Sequence, residues 1–297
     1  ALEATPVLPN DLSSLSEVDN PVLAHIYELN GGSLSSSSSV DTSVIGQVHV
    51  ATVTNISSTS VVDNPVLSSS GGATTLQDLA DDIFVGGREG ILIGPGLDDY
   101  EETASQTTAA TDVDDPVGSI VSLDPTGAIV SAPSDGLRPL LGDDSGNKTY
   151  VFDGVDDGLD LLTSSGTVIY TVAMAVKISS SDTRGMLLNV NGNGGYCVCY
   201  QDGSTSTSLA AGVGSPTITI DGTSYSTRDD LHTALTTDTW VYVLVEDFRT
   251  TTDDVEFNSY STGWKMDGQL GPLLMVDDTL TAQELIDVET AIMAAVT

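Results

Sequence analysis

Residues 239–247 read Thr-Trp-Val-Tyr-Val-Leu-Val-Glu-Asp, an unbroken run of apolar residues between polar ends. Val, Tyr and Trp are enriched in β-strands, and successive side chains of a strand point to opposite faces. Trp240 and Tyr242 therefore share one face of this strand. We expect both of them to belong to a buried core.

Similar short apolar runs lie on both sides of this one, separated by Gly, Asp and Ser. Turn signals such as Asn191-Gly192, Asp202-Gly203 and Asp221-Gly222 stand between several of them. Many short strands at this spacing are typical of an antiparallel sandwich or jelly roll. The other predicted strands are 148–153, 167–178, 185–190, 195–201, 207–213, 216–221 and 271–276.

A helix is predicted at the end of the chain. Thr281 and Glu284 have the spacing of a capping box, in which each side chain bonds the other residue's backbone N–H. Leu285, Val288 and Ile292 follow at helical spacing and share one face. We expect this helix to pack its apolar stripe against the sandwich and close the fold.

The first 67 residues contain three tandem units of 22 residues, 2–23, 24–45 and 46–67. Val18-Asp19-Asn20-Pro21-Val22-Leu23 aligns with the segments that begin at Val40 and Val62. Each unit has few large apolar residues, so its burial cannot offset backbone ordering of roughly 1–2 kcal/mol per residue. We therefore predict extended repeats that are ordered by a partner surface or by sister chains.

Residues 68–147 are predicted as a connector of loops, brief strands and one short helix near 75–84. The predicted organisation is thus an assembly segment (1–67), a connector (68–147) and a jelly roll (148–297). The overall class is mainly β.

Charge restricts the partners. Eight Lys and Arg residues stand against 43 Asp and Glu residues, which gives a net charge of −35. Such a chain repels phosphate and anionic membrane surfaces, so neither nucleic acid nor membrane is an expected partner. Adaptation to salty surroundings, where this self-repulsion is screened, accounts for the acidity.

The segment 152–157, Phe-Asp-Gly-Val-Asp-Asp, is a candidate cation site. Asp153, Asp156 and Asp157 offer carboxylate oxygens, the ligands that Ca²⁺ prefers. The alternative is structural, because Asp-Gly steps form tight turns in which Asp side chains bond backbone N–H groups. Ca²⁺ is the one candidate cofactor.

Aromatic side chains are the candidates for carbohydrate binding, since sugars stack on aromatic faces. Trp264 lies in a polar stretch and is the first candidate, followed by Tyr196 and Tyr200 in Tyr-Cys-Val-Cys-Tyr. Cys197 and Cys199 in that segment indicate small buried residues rather than a disulfide or zinc site.

Catalysis has no support in the sequence. Paired carboxylates at the spacing of sandwich glycosidases, a nucleophile elbow and a phosphate-binding loop are all missing. His25 and His49 lie in the repeats, and His232 lies in a polar segment without a nucleophile motif nearby. The chain is predicted not to be an enzyme.

Two stretches resemble virion proteins. Gly46-Gln47-Val48-His49-Val50 and the Asp-Asn-Pro-Val-Leu units resemble degenerate repeats of virion proteins from tailed phages and gene-transfer particles of marine and soil alphaproteobacteria. From about Asp82 onward, Gly87-Arg88-Glu89-Gly90, Tyr150-Val151-Phe152-Asp153 and Leu280-Thr281-Ala282-Gln283 resemble, in that order, phage structural proteins with a concanavalin-like (laminin-G-like) jelly roll. The aromatic segment that follows Gly-x-x-Gly in that family is replaced here by Ile91-Leu92-Ile93.

The resemblance implies a structural protein on the virion surface of a marine tailed phage, as a capsid fibre, spike or decoration protein or as a tail fibre. It implies a homo-oligomer, a trimer or pentamer, attached to capsid or tail proteins through residues 1–67. The outward jelly roll is expected to bind host-surface glycan, neutral or bridged by Ca²⁺. The alternative is a secreted lectin or polysaccharide-binding protein of a salt-adapted microbe.

Overall fold

The computed structural model describes residues 75–162, 168–190, 196–206, 216–248, 254–258 and 263–297, with the backbone alone at residues 162, 196, 197 and 254. The predicted repeats of residues 1–67 and the predicted strand 207–213 lie outside the described residues. Residues Gly72–Thr297 belong to one compact unit.

Two antiparallel sheets form this unit, which confirms the predicted sandwich class. Sheet A has the strand order β12-β11-β13-β8-β15-β6-β5, with β1 also paired to β15, and sheet B has the order β10-β9-β14-β7-β4-β3-β2. The chain changes sheet repeatedly after β7, as in a jelly roll. The strands are β1 Gly90–Ile93, β2 Asp99–Tyr100, β3 Ser119–Val121, β4 Ile129–Ser131, β5 Leu140–Asp144, β6 Asn147–Asp153, β7 Leu159–Leu162, β8 Thr171–Ile178, β9 Arg184–Val190, β10 Tyr196–Gln201, β11 Thr217–Ile220, β12 Thr223–Tyr225, β13 Val241–Glu246, β14 Asp254–Phe257 and β15 Asp267–Val276.

The main core lies between the sheets. In β13, Val241, Val243 and Val245 point into it, as do the alternate residues of β8. Phe152 of sheet A meets Phe257 of sheet B with ring centroids 5.2 Å apart, in a tilted arrangement that aromatic pairs favour. The two sheets therefore bury one shared apolar interior.

A second apolar layer covers the outer face of sheet A. Tyr242 and Leu244 of β13 lie there with Ala173 and Ala175 of β8, so Tyr242 belongs to this outer layer rather than to the core between the sheets. Trp240 packs partly buried against the same layer. The small residues of sheet A allow close approach, because a Cβ at Gly271 would lie 2.5 Å from Val296 Cγ1.

Two helices supply this outer layer, α1 (Leu76–Ile83) and α3 (Ala282–Ala294). The capping box of Thr281 and Glu284 is formed, which confirms the predicted helix start, and α1 has its own box at Thr75 and Asp78. Arg88 follows α1 and bonds Glu284 and Asp278, so its guanidinium ties the two helical regions together.

The sandwich begins earlier in the chain than the predicted residue 148. The predicted connector 68–147 contains β1 to β5, and β1 pairs with β15 in the middle of sheet A. The helix α2 (Arg228–Leu235), which packs against β10, was not predicted, although Thr227 and the following Asp229 and Asp230 are helix-start signals. No helix in the described part of the chain is long and apolar enough to cross a membrane.

The packing of α3 in the outer layer predicts that two of its isoleucines contribute differently to stability. Ile292 is fully buried, whereas Ile286 is 56% exposed. Ile292→Ala should lower the free energy of unfolding by about 3 kcal/mol through lost burial and a cavity, and Ile286→Ala by about 0.5 kcal/mol or less. Chemical denaturation of both variants tests this, and equal losses would show that α3 is peripheral.

The position of β1 to β4 predicts the smallest folding unit. A fragment of residues 72–297 retains both sheets and should unfold cooperatively. A fragment of residues 140–297 lacks β1, whose Ile91, Leu92 and Ile93 are fully buried against β15, and should not. Thermal melts by near-ultraviolet circular dichroism compare the two, and a cooperative melt of the shorter fragment would contradict the arrangement.

Candidate functional site

Several loops meet near the starts of β9 and β15. Ser179 N–H donates to the carbonyl of Asp267, which joins the β8–β9 loop to β15. Arg228 N–H and Asp229 N–H donate to the carbonyls of Ser206 and Ser204, which joins the start of α2 to the loop after β10. Segments that are far apart in the sequence thus form one continuous surface.

Asp182 is the hydrogen-bonding centre of this surface. Its carboxylate accepts the hydroxyl of Tyr200 at 2.6 Å and the backbone N–H groups of Asp267 at 3.0 Å and Arg184 at 3.2 Å. Its carbonyl oxygen lies 2.8 Å from Nε2 of His232. One aspartate therefore joins β9, β10, β15 and the imidazole of α2, which gives the surface a defined shape.

Trp264 lies half-buried on this surface beneath two guanidinium groups. Cζ of Arg184 lies 5.7 Å and Cζ of Arg228 lies 5.2 Å from the ring centroid, both within the range of a cation–π contact. A side chain added at Gly263 would approach Arg184 Nη2 at 3.1 Å. The cluster of Arg184, Arg228 and Trp264 is called the Trp–Arg patch below.

Of the two tyrosines predicted to bind carbohydrate, the structure describes the side chain of Tyr200 alone. Tyr200 is buried between β9 and α2, its hydroxyl donates a hydrogen bond to Asp182, and burial raises the pKa of its phenol. A Cβ at Gly185 would lie 2.3 Å from the Tyr200 hydroxyl oxygen, so the ring fills a closed space and offers no stacking face to a sugar. The side chain of Tyr196 lies outside the described residues.

The structure brings the three predicted metal ligands together. Carboxylate oxygens of Asp153, Asp156 and Asp157 lie within 4.8 Å of one another. Asp153 Oδ1 accepts the N–H groups of Val155 at 2.8 Å and Asp156 at 3.4 Å, and Asp157 Oδ2 accepts Asp153 N–H at 3.0 Å. These bonds are the ones expected of the structural alternative, an Asp-rich turn.

A lysine ammonium occupies the inner side of this turn. Nζ of Lys265 donates to the carbonyls of Asp156 and Asp157 at 3.1 Å each and of Asn258 at 2.6 Å. Burial lowers the pKa of Lys265 and raises that of Asp157 to about 6. The turn thus contains its own cation, and Ca²⁺ binding there stays a prediction.

Sequence reasoning did not select the other members of the surface, namely Asp182, Arg184, Asp202, Arg228, Asp229 and His232. One sequence signal was available for the two arginines. Only eight of the 297 residues are Lys or Arg, so the position of each one is informative. Their convergence on Trp264 depends on loops from both sheets, and no spacing in the sequence encodes it.

Comparisons with protein-family models, with curated proteins and with solved structures found no match for this chain. The sandwich class by itself does not assign a function, because unrelated activities occur on the same fold. A function therefore has to be argued from the surface that contains Asp182 and the Trp–Arg patch.

The buried carboxyl of Asp157 predicts a pH dependence of stability. Its folded pKa of about 6 lies above the ordinary value of 3.8, so its stabilising contribution is full below about pH 4 and is lost as the pH rises through 6. Asp157→Asn keeps an oxygen for Asp153 N–H and should raise the melting temperature at pH 7.5 more than at pH 4.

The half-buried neighbour Asp156 provides the matched control, because its side chain is in the same turn. Asp156→Asn should produce a smaller difference between the two pH values. Differential scanning calorimetry of both variants measures the effect. A melting-temperature change for Asp157→Asn that is the same at both pH values would refute the assignment.

Proposed function

We propose that this chain is a non-enzymatic adhesive protein whose sandwich domain binds saccharide at the Trp–Arg patch. The observation that carries the proposal is the half-exposed Trp264 beneath Arg184 and Arg228. An indole has two flat apolar faces, and guanidinium groups offer rigid, planar pairs of N–H donors. A sugar ring would stack on the part of the indole that the two arginines leave uncovered, with its polar substituents toward the guanidinium groups.

The two arginines favour an acidic saccharide. Guanidinium groups bind carboxylate or sulfate in a bidentate geometry, and such charge-assisted hydrogen bonds are roughly twice as strong as neutral ones. The net charge of −35 opposes an anionic ligand at long range, but the Debye length is about 8 Å at physiological ionic strength. Screening therefore weakens the repulsion from distant carboxylates, more so in salty surroundings, while direct contacts with Arg184 and Arg228 persist.

We further propose that the protein lies on the virion surface of a marine tailed phage, as a homo-oligomeric capsid fibre, spike or decoration protein, or as a tail fibre. The 22-residue repeats, the acidic composition and the sandwich class support this setting. Residues 1–67 would attach it to capsid or tail proteins. The second candidate, a secreted polysaccharide-binding protein of a salt-adapted microbe, is favoured by the same Trp–Arg patch.

Saccharide binding is tested with the full-length chain on immobilised polysaccharides. Binding should be stronger to a uronate-rich or sulfated polysaccharide than to a neutral one. Trp264→Ala and the double variant Arg184→Gln/Arg228→Gln should each weaken it about ten-fold or more, because they remove the stacking face or the charge-assisted bonds. Lys148→Gln, which removes one positive charge from β6, is the control.

Two results would count against the saccharide proposal. Equal affinity of the Trp264 variant and the unaltered chain would remove the patch from the binding site. Equal weakening by Lys148→Gln would reduce the effect to net charge. Repeating the assay with Ca²⁺ and with a chelator separates bridging by a cation at Asp153, Asp156 and Asp157 from binding at the patch.

The virion setting needs a separate measurement. Antibodies raised against residues 72–297 and carrying gold should label the outside of native phage particles in electron micrographs. Labelling of capsid or of tail would distinguish the two attachment sites. Particles that carry no label, with the protein instead recovered from culture medium, would favour the secreted alternative.

A further inference from the structure

A second group of metal-ligating side chains lies on the same surface, apart from the acidic turn of Asp153. Asp229 and His232 are one turn apart on α2, and Asp202 follows β10 in the loop that packs against the start of that helix. A carboxylate oxygen from each aspartate and a ring nitrogen of His232 lie within 4.8 Å of one another. The elements therefore bring one imidazole and two carboxylates to one point.

The orientation of His232 favours metal binding. Its Nε2 lies 2.8 Å from the carbonyl oxygen of Asp182, which can only accept, so Nε2 carries the proton. In a neutral imidazole, Nδ1 then holds the lone pair. Metal-ligating histidines commonly donate their second N–H to a backbone carbonyl in this way, because the bond fixes the tautomer and the ring orientation.

Both aspartates are also held from outside the group. The carboxylate of Asp229 accepts Gly203 N–H at its Oδ1 at 2.7 Å, and the backbone N–H of Asp202 donates to the carbonyl of Thr183 at 2.9 Å. Within the described part of the chain, neither carboxylate forms a salt bridge with a Lys or Arg side chain. This differs from the turn of Asp153, where the Lys265 ammonium already lies.

We propose that Asp202, Asp229 and His232 bind one divalent transition-metal cation of the Zn²⁺ class. In a tetrahedral site, ligand atoms about 2.1 Å from Zn²⁺ lie roughly 3.4 Å apart, so side-chain rotations would draw these atoms, now within 4.8 Å of one another, closer around the ion. One imidazole with two carboxylates suits Zn²⁺ or Mn²⁺, whereas Ca²⁺ and Mg²⁺ prefer oxygen ligands alone. Solvent completes the coordination, because Asp202 is exposed.

The test uses the full chain with His25→Ala and His49→Ala, which leaves His232 as the one imidazole of a chain with three histidines. Calorimetric titration with ZnCl₂ should give one site per chain. His232→Ala and Asp229→Asn in this background should each weaken it about ten-fold or more. Ca²⁺ and Mg²⁺ should bind this site far more weakly.

Two matched controls locate the site. Asp230→Asn removes a neighbouring charge from the same helix, and Asp156→Asn removes a carboxylate from the other acidic group; both should leave the Zn²⁺ affinity unchanged. Absence of Zn²⁺ binding overturns the proposal. The proposal is also overturned if Zn²⁺ binding is unchanged in His232→Ala or is lost in Asp156→Asn.

A spectroscopic measurement keeps the proposal testable if a variant fails to fold. In long-range ¹H–¹⁵N spectra of the background chain, Zn²⁺ should shift the Nδ1 resonance of His232 while Nε2 keeps its proton. A Zn²⁺-independent Nδ1 resonance would overturn the assignment even if some Zn²⁺ binds elsewhere. Neither outcome depends on whether the Trp–Arg patch binds saccharide.

Discussion

The fold depends on covering both faces of sheet A. Its central strands β8, β13 and β15 carry apolar side chains on both sides, so a two-layer sandwich would leave one face in water. At roughly 25 cal/mol per Å² of apolar surface, an exposed sheet face would cost a large share of a marginal stability. The helices α1 and α3 bury that face, and Arg88 links the regions from which they come. The described part of the chain therefore has three layers, and the helices bury an apolar sheet face that the second sheet does not cover.

The central strands and the C-terminal helix could be predicted because their signals are local. The unbroken apolar run of β13 and the capping box at Thr281 each fit within ten residues, and the structure confirms both. β7, with Leu-Asp-Leu-Leu, and β14, with Asp-Val-Glu-Phe, were missed because each is only four residues long and its apolar run is interrupted by charged residues. They become strands because β9 and β4 offer free edges, and that pairing is a tertiary effect.

The candidate site could be predicted only in part, for a related reason. The acidic turn at 153–157 lies within five residues, so its three carboxylates were identifiable, and Trp264 was identifiable from its polar surroundings. The Trp–Arg patch and the group of Asp202, Asp229 and His232 combine segments that are 27 to 80 residues apart in the sequence. Their proximity depends on the order of strands in both sheets, and residue spacing does not encode that order.

Because the chain has only eight Lys and Arg residues, the contacts of each one are informative. Arg88 joins the helical regions, Lys177 pairs with Asp144 at 2.8 Å, and Lys265 fills the acidic turn. Each of these cations satisfies buried or half-buried oxygens of the protein itself. Arg184 and Arg228 lie over the ring of Trp264 at the surface. In a chain with a net charge of −35, two arginines at one half-exposed indole concentrate positive charge at one point of the surface, and the proposed saccharide site rests on that concentration.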